Sequence, residues 1–333
     1  DWQFRAEQLK AQRYHFDTAL LRPYLELERV LHEGVFAAAT GLFGITFVER
    51  DDLAGYNDEV RIFEVRDADG TGLGLFLADF YTRAGKQGGA WMSNLVDQST
   101  RDGALPVVTN NCNYSPTTTA ITWDDVITMF HEFGHALHGL LADSRYASRS
   151  GANTPRDFVE FPSQVNEHWA WTPGRVLPAE WVERLTAASQ FGQGYATAET
   201  EISSLLDLVW HTTPLDELPE SVDDVEAFER AALERFGLVE PLVPPRYRSQ
   251  YFAHIWGGGY ASSYYGYAWA KVMDADAVAW FEEQDGPVRG AGEHFRRTLL
   301  APGGSVDPME TYRRFRGRDP QLQALLDRLG LTI

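Results

Sequence analysis

The spacing of apolar residues divides the chain into a helical beginning, a strand-rich middle and a long helical remainder. Over 2–31 and 34–42 apolar residues recur every three or four positions, which predicts helices, and Pro23 divides the first stretch in two. Between 45 and 108 the pattern alternates, which predicts a small sheet with strands near 45–47, 60–65, 74–80, 88–92 and 106–108. Helical spacing then returns at 178–191, 194–210, 222–236, 267–283, 288–300, 308–315 and 321–329.

A further helix is predicted after Thr122, and it contains the sequence His131-Glu132-Phe133-Gly134-His135. Residues four apart lie on one face of a helix, so the two imidazoles can bind one metal ion while Glu132 lies beside them. Either Thr122 or Asp124 can cap this helix. Gly134 lowers helix stability by about 1 kcal/mol relative to alanine, which indicates that another element approaches closely there.

Two histidines leave a catalytic zinc site short of one protein ligand. The extended motif His-Glu-x-x-His-x-x-Gly-x-x-His is ruled out, because its glycine and last histidine are replaced here by His138 and Leu141. A carboxylate on a following helix is the better choice, and Glu160 lies in an amphipathic stretch at 157–169. Gln164 and Glu167 follow on the same face, and one of them, preferably Glu167, can hydrogen-bond a ligand histidine.

The alternative interpretation of the pentad is an amphipathic helix with two exposed histidines. Chance alone produces such a pentad in roughly a few per cent of chains of this composition. A metal site is favoured because a second helix with a spaced acidic face follows. His138 is expected to be an ordinary packed or exposed histidine.

A second candidate functional segment covers 251–267, where His254 precedes three glycines and a set of tyrosines. Tyr260, Tyr264 and Tyr267 fall at i, i+4 and i+7, which predicts that their hydroxyls line one face of a helix after the glycines. A tyrosine stripe is also typical of core packing, so the residues alone leave a substrate-binding face and a packed face open.

These motifs together resemble a known family. The pentad with Asp-Phe-Val-Glu-Phe-Pro-Ser-Gln at 157–164 is similar to the thimet oligopeptidase and neurolysin family of zinc metallopeptidases. The longer string over 145–169 is most similar to its bacterial peptidyl-dipeptidase (Dcp) branch, and the similarity extends over essentially the whole chain. The resemblance implies a mainly α, zincin-type fold, with α-helical lobes around a deep cleft and a small β-sheet beside the active site.

The resemblance also implies roles for individual residues. The implied ligands of one Zn²⁺ ion are His131, His135 and Glu160. The implied general base, and later general acid, is Glu132. The family's segment that acts on the substrate and the transition state matches His254, Tyr260 and Tyr267. The spacing from this histidine to the first tyrosine is one residue longer than in thimet oligopeptidase and fits the Dcp branch.

Charge and composition exclude some functions. A net charge of −19 argues against binding to nucleic acid or to anionic membranes. No apolar run is as long as the about 18 residues that a membrane-spanning helix needs. The single cysteine, Cys112, fits a reducing cytoplasm, and its asparagine neighbours offer no base, so a small buried side chain is expected. The opening residues show no secretory signal. Short peptides are the expected partners of a cytoplasmic monomer.

We expect one catalytic domain over 1–333. It consists of a helical part at 1–44, a sheet region at 45–110, zinc-binding helices at 122–170 and a helical lobe with the tyrosine segment at 171–333. Members of the resembled family have an additional helical N-terminal half that is absent here. The chain is therefore either the catalytic portion of a longer protein, with which that half associates, or a minimal form with a more open cleft.

The expected function is zinc-dependent release of dipeptides from the C-terminus of short peptides. The alternatives are an endo-acting oligopeptidase of the same family and a non-catalytic peptide-binding fragment. A dipeptidase needs a cation for the terminal carboxylate of its substrate, and the sequence does not choose among Arg145, Arg149, Arg156, Arg246 and Arg248. The stretch 88–91 is either an edge strand that pairs with an extended peptide or a glycine-rich turn.

Overall fold

The computed structural model describes residues 2–14, 18–238, 242–286 and 288–331. Its α-helices are α1 (Trp2–Tyr14), α2 (Leu27–Arg29), α3 (Ala37–Phe43), α4 (Trp123–Leu140), α5 (Arg156–Glu167), α6 (Ala179–Ser189), α7 (Gln193–Thr212), α8 (Val225–Arg235), α9 (Ala253–Trp256), α10 (Gly266–Glu282), α11 (Val288–Phe295), α12 (Pro308–Arg316) and α13 (Gln323–Arg328). The mainly α fold with a small sheet, predicted from the sequence, is confirmed.

The sheet lies between α3 and α4 in the chain and has five strands, β1 (Thr46–Glu49), β2 (Arg61–Arg66), β3 (Gly72–Tyr81), β4 (Trp91–Val96) and β5 (Val107–Tyr114). Their order in space is β1-β2-β3-β5-β4. Neighbouring strands are antiparallel except β3 and β5, which run parallel with Phe76 opposite Val108. Strand β4 therefore forms one edge of the sheet.

The first helical region divides differently from the prediction. Pro23 lies in a short 3-10 helix, Thr18–Tyr24, and residues 15–17 are outside the described part of the chain. From Leu27 to Phe43 the helix is continuous, because α2 leads through the π-helical turn Val30–Phe36 into α3. The helix predicted at 34–42 is thus the end of a longer one.

Aromatic packing fixes α4 on the sheet. The ring of Phe133 lies 5.7 Å from that of Phe36, 5.8 Å from that of Phe47 and 5.2 Å from that of Phe76, measured between ring centroids. Phe36, Phe76 and Phe133 belong to the main hydrophobic cluster and Phe47 packs against it, and aromatic contacts of this kind bury large apolar areas. The turn of α4 that carries the pentad is therefore held firmly against β3 and the long helix of the N-terminal region.

In the described part of the chain, none of the helices combines the length and the apolar character that crossing a membrane requires.

Candidate metal centre

Helix α4 begins with a capping box at Thr122. The Thr122 hydroxyl accepts a hydrogen bond from the backbone N–H of Asp125 at 3.1 Å, and the Asp125 carboxylate accepts one from the backbone N–H of Thr122 at 2.9 Å. Thr122, rather than Asp124, is therefore the cap. The apolar face of α4 is buried at Val126, Met129, Phe130, Phe133 and Leu137.

Helices α4 and α5 touch at Gly134. A Cβ atom at this position would lie 2.6 Å from Cα of Ser163 and 2.9 Å from Cβ of Asn166, so any larger residue would push the helices apart. The Asn166 side chain also donates a hydrogen bond of 2.6 Å to the backbone carbonyl of Phe130. The close approach predicted from Gly134 is confirmed, and it brings the two motif-bearing helices together.

His131, His135 and Glu160 converge at this crossing. Oε2 of Glu160 lies 3.1 Å from Nε2 of His131 and 3.2 Å from Nε2 of His135, and the two rings are nearly perpendicular, at 85°. The three ligand atoms all lie within 4.8 Å of one another. Among the residues that the structure describes, this is the only group of three or more His, Cys, Asp or Glu side chains with such geometry.

The chemistry of these three side chains fits a divalent metal ion. Two imidazole nitrogens and one carboxylate oxygen are the donor set of many catalytic zinc sites, in which a fourth position stays open. Glu160 is only 3% exposed. Burial alone would raise the pKa of its carboxyl, but the neighbouring imidazoles of His135 and His131 hold that pKa well below the usual range. The group is thus a buried carboxylate ready to bind a cation.

Further side chains orient these donors. Nδ1 of His131 lies 2.7 Å from Oε1 of Glu167, which places the proton of a neutral ring on Nδ1 and leaves Nε2 free for a metal. The prediction that Glu167 would serve this purpose is confirmed. Gln164 has another contact, since its amide donates to the backbone carbonyl of Tyr267 at 3.4 Å. Glu160 itself is held by the hydroxyl of Tyr260, which donates to Oε1.

Glu132 lies beside the donors without joining them. It is 7% exposed, and its Oε2 atom has no hydrogen-bond partner among the described residues. Burial raises the pKa of its carboxyl, against the opposing effect of the two imidazoles. A buried carboxyl with a raised pKa and an oxygen without a hydrogen-bond partner is suited to exchange a proton.

The tyrosine segment reaches the same site, but not as a helix. Helix α10 starts only at Gly266, so the prediction that Tyr260, Tyr264 and Tyr267 line one helical face is wrong. Left-handed backbone at Gly259 (φ +81°) and Ser262 (φ +55°) produces an irregular loop instead.

Three tyrosines are nevertheless brought together by this loop. The rings of Tyr260 and Tyr267 stack with centroids 5.2 Å apart, and Tyr264 lies 5.2 Å from Tyr267. His254 joins them, with its ring 6.1 Å from that of Tyr260 and 6.3 Å from that of Tyr267. Tyr264 is buried, as the packed interpretation predicts, while the Tyr260 hydroxyl donates to Glu160. The substrate-binding interpretation stays a prediction.

Asp207 of α7, which the sequence analysis missed, holds the tyrosine loop in place. Its carboxylate is fully buried and accepts hydrogen bonds of 2.9 Å from the backbone N–H groups of both Ser262 and Tyr264. Nδ1 of His211 lies 2.8 Å from the same carboxylate. The sequence contains no signal for this contact, because it joins residues more than fifty positions apart through main-chain atoms.

Two other expectations concern residues outside the metal centre. Cys112 is buried and its thiol pKa is raised to about 12 by burial, which confirms a structural rather than a nucleophilic side chain. His138 is completely buried, and burial lowers its pKa to about 3. It is therefore the packed histidine of the two alternatives.

The strand predicted at 88–92 has different bounds in the structure. Strand β4 begins at Trp91, and the glycines before it form the approach, with Gly89 in left-handed backbone at φ +91°. The edge-strand and glycine-turn interpretations thus apply to successive parts of this stretch.

Comparison with known proteins decides the family. The sequence profile of Peptidase family M3 matches residues 1–331. The chain belongs to this family. Its members in the comparison include dipeptidyl carboxypeptidase of Escherichia coli, to which the chain is 47% identical over 349 residues, and dipeptidyl carboxypeptidase of Salmonella typhimurium, at 49% identity. Oligopeptidase A of Escherichia coli is 35% identical over 354 residues.

These family members are longer than the present chain. The matches cover 99% or more of this chain but only 51% of each of the three relatives, so the chain spans about half of their length. A solved structure titled BsuCP Crystal Structure shares the fold, with a TM-score of 0.52 over 97% of this chain and 65% of that one. At 13% sequence identity, that likeness concerns the fold alone.

Proposed function

We propose that the chain is the catalytic part of a zinc-dependent peptidyl-dipeptidase, which releases dipeptides from the C-terminus of short peptides. The observation that carries the proposal is the convergence of His131, His135 and Glu160 at the crossing of α4 and α5. The dipeptidase specificity is supported by the higher identity to the two dipeptidyl carboxypeptidases, 47% and 49%, than to oligopeptidase A, 35%.

In the proposed reaction, these three side chains would hold one zinc ion, which when bound would supply Lewis acidity toward the peptide carbonyl and toward the attacking water. The Glu132 carboxylate takes a proton from the attacking water and later returns it to the leaving amine nitrogen. Glu167 keeps the His131 ring in one tautomer throughout.

The tyrosine loop stabilises the negative charge that develops on the carbonyl oxygen. Tyr267 is the proposed hydrogen-bond donor to that oxygen, with His254 beside it, while Tyr260 donates to Glu160 and joins the substrate contacts when that bond opens. Loss of one donor of this kind typically lowers the rate by about 10²- to 10³-fold.

The edge strand β4 is the proposed support for the substrate main chain. Its outer edge is not paired with another described strand, since the sheet order ends at β4. An extended peptide can hydrogen-bond along such an edge, which orients it without demanding a particular sequence.

The proposed partners are short peptides, and neither nucleic acid nor a membrane is proposed. A second half of the kind present in the longer relatives is a further proposed partner, or else the chain acts as a monomer. For its location we propose the cytoplasm, supported by the single cysteine, which is buried and unpaired.

Two substitutions test the site. Glu132→Gln should lower turnover of a blocked short peptide by about 10²- to 10⁴-fold and keep stoichiometric zinc, whereas Glu160→Ala should lose zinc as well as activity. Zinc content by atomic emission and initial rates of hydrolysis are the measurements. Glu183→Gln, at an exposed position of α6, is the matched control and should retain both properties.

The outcomes separate the alternatives. Unchanged activity in either active-site variant refutes the mechanism. A wild-type chain that holds zinc but does not hydrolyse the peptide is the non-catalytic binding fragment. A chain that cleaves a peptide equally well with a free and an amidated C-terminus is the endo-acting oligopeptidase.

A further inference from the structure

We propose that Arg156 binds the C-terminal carboxylate of the peptide substrate. This inference rests on the proposed dipeptidase function. Its basis is the position of the Arg156 guanidinium beside the metal centre, which distinguishes it from the four other arginines that flank the motifs.

Arg156 shares a helical face with a metal ligand. It is the first residue of α5 and precedes Glu160 by four positions, which is one turn of helix. Its guanidinium carbon lies over the ring of Tyr260, 4.9 Å from the ring centroid, and the hydroxyl of the same tyrosine donates to Glu160. A single tyrosine ring therefore separates this cation from the metal-site carboxylate.

The glycine-rich segment makes room for this arginine. At Gly259, where φ is +81°, a Cβ atom would lie 2.9 Å from Nη2 of Arg156. At Gly266 a Cβ atom would lie 3.0 Å from the backbone oxygen of Arg156. Any side chain at these two positions would displace the guanidinium or the start of α5, so both glycines favour the observed position of Arg156.

Arg156 is a free cation in a strongly acidic protein. It is exposed, and its guanidinium forms no ion pair with a described carboxylate, although the chain carries a net charge of −19. Stacking on an aromatic ring fixes the plane of a guanidinium and leaves its N–H groups available. Such a group binds a carboxylate through two parallel hydrogen bonds.

The other candidate arginines are placed differently. Arg248 is engaged in ion pairs with Glu226, at 3.7 Å, and with Glu229. Arg246 lies over the ring of Tyr247, at 5.8 Å, and its charge also acts on His254 and Tyr264, so it is near the tyrosine segment but makes no ring contact with Tyr260.

Arg145 and Arg149 line a groove of about 560 Å³. Its other lining residues include Pro155 and the stretch 304–308, and none of them is a metal-centre residue. These two arginines therefore serve as controls, because they are also cationic but contact none of the metal-centre residues.

A dipeptide leaving group places its terminal carboxylate near the metal centre. Two residues of extended chain span about 7 Å, which is the distance from a scissile carbonyl to a carboxylate two residues further on. A cation beside the metal centre therefore lies in the region that this carboxylate would reach, and Arg156 stacks on a tyrosine that contacts Glu160.

The test compares one peptide as the free acid and as the C-terminal amide, in the wild-type chain and in Arg156→Gln, Arg156→Lys, Arg246→Gln and Arg149→Gln. Arg156→Gln should lower kcat/KM for the free acid by about 10- to 100-fold, mainly through KM, since the lost hydrogen bonds join two charged groups. Hydrolysis of the amide and zinc content should not change. For Arg156→Lys, kcat/KM for the free acid should lie between the values for the wild type and for Arg156→Gln, because a lysine keeps the charge but cannot form the two parallel hydrogen bonds.

A binding measurement makes the test independent of turnover. Calorimetry of a free dipeptide and its amide with the zinc-loaded chain should show a preference for the acid, and Arg156→Gln should abolish it. The inference is overturned when Arg156→Gln keeps the preference for the acid, or when it weakens binding of the acid and of the amide equally. It is also overturned when Arg246→Gln or Arg149→Gln loses the preference instead. A wild-type chain without any acid preference refutes the proposed dipeptidase function itself.

Discussion

Gly134 determines how closely the two ligand-bearing helices pack. Its missing side chain allows contact with the backbone of Ser163, which cannot rotate away as a flexible side chain would. The distance between His135 on α4 and Glu160 on α5 therefore depends on a residue that binds nothing itself.

We expect Gly134→Ala to separate these helices. The added methyl would meet Cα of Ser163 at 2.6 Å, and overpacking of this kind typically lowers the free energy of unfolding by about 1–3 kcal/mol. Zinc affinity should fall together with stability, since the metal donors come from both helices. Urea denaturation and zinc titration are the measurements.

The matched control is Gly41→Ala in α3. No described atom lies within 4 Å of a Cβ at Gly41, so alanine should raise the free energy of unfolding by about 0.4–1 kcal/mol. Equal effects of the two substitutions would show that helix propensity, and not the helix crossing, governs position 134.

The grouping of the three candidate metal donors could be predicted because their signals are local. The spacing of His131 and His135 needs only the geometry of one helix, and Glu160 followed from the absence of a third histidine and the acidic face of the next helix. Glu167 followed from that same face. The contact between Tyr260 and Glu160 is harder to predict, because it spans a hundred residues and depends on the backbone path of an irregular loop.

At the scale of elements, the tyrosine loop shows where helical periodicity misleads. The spacing of its tyrosines fits a helix, yet Gly259 and Ser262 adopt left-handed backbone and the helix begins only at Gly266. Periodicity indicates which side chains can share a face of a helix. It does not detect a buried hydrogen-bond acceptor such as Asp207, which stabilises a non-helical backbone in this loop.

We expect Asp207→Ala to loosen this loop. The backbone N–H groups of Ser262 and Tyr264 would lose their acceptor, and each buried unsatisfied donor costs about 1–3 kcal/mol. The predicted result is a decrease in kcat/KM of about 10- to 100-fold at unchanged zinc content, together with faster proteolytic cleavage within 257–265.

Two further variants make the result specific. Asp207→Asn keeps one acceptor oxygen and should show an intermediate effect on both readouts. Asp216→Ala, at an exposed position after α7, should show none. Kinetics and proteolysis like those of the wild type in Asp207→Ala would mean that the loop holds its shape without this carboxylate.

For the whole molecule, the bound ion is expected to join parts that lie far apart in the chain. Binding to the native state alone adds about 2.7 kcal/mol of stability when the free ion is at a hundred times its Kd. Removal of zinc by a chelator should therefore lower Tm, and addition of zinc should restore it. Calorimetric scans of the wild type and of Glu160→Ala test this, since a chelator should leave Tm of that variant unchanged.

The arrangement of the whole chain could be predicted only in part. The succession of helices, a small sheet and more helices follows from the change in hydrophobic period at residue 45 and its reversal after the sheet. The strand order does not, because β3 pairs in parallel with β5 and leaves β4 outside, and such long-range pairing has no local signature.

The open edge of β4 has one more consequence, for the behaviour of the protein in concentrated solution. Its backbone groups are as available to a second copy of the chain as to a peptide, and the side chains of Leu95 and Val96 at its end are 55% and 42% exposed. Unpaired strand edges with apolar ends promote stacking between copies and aggregation. A peptide lying along this strand would shield it, so saturating substrate analogue should keep the protein dispersed.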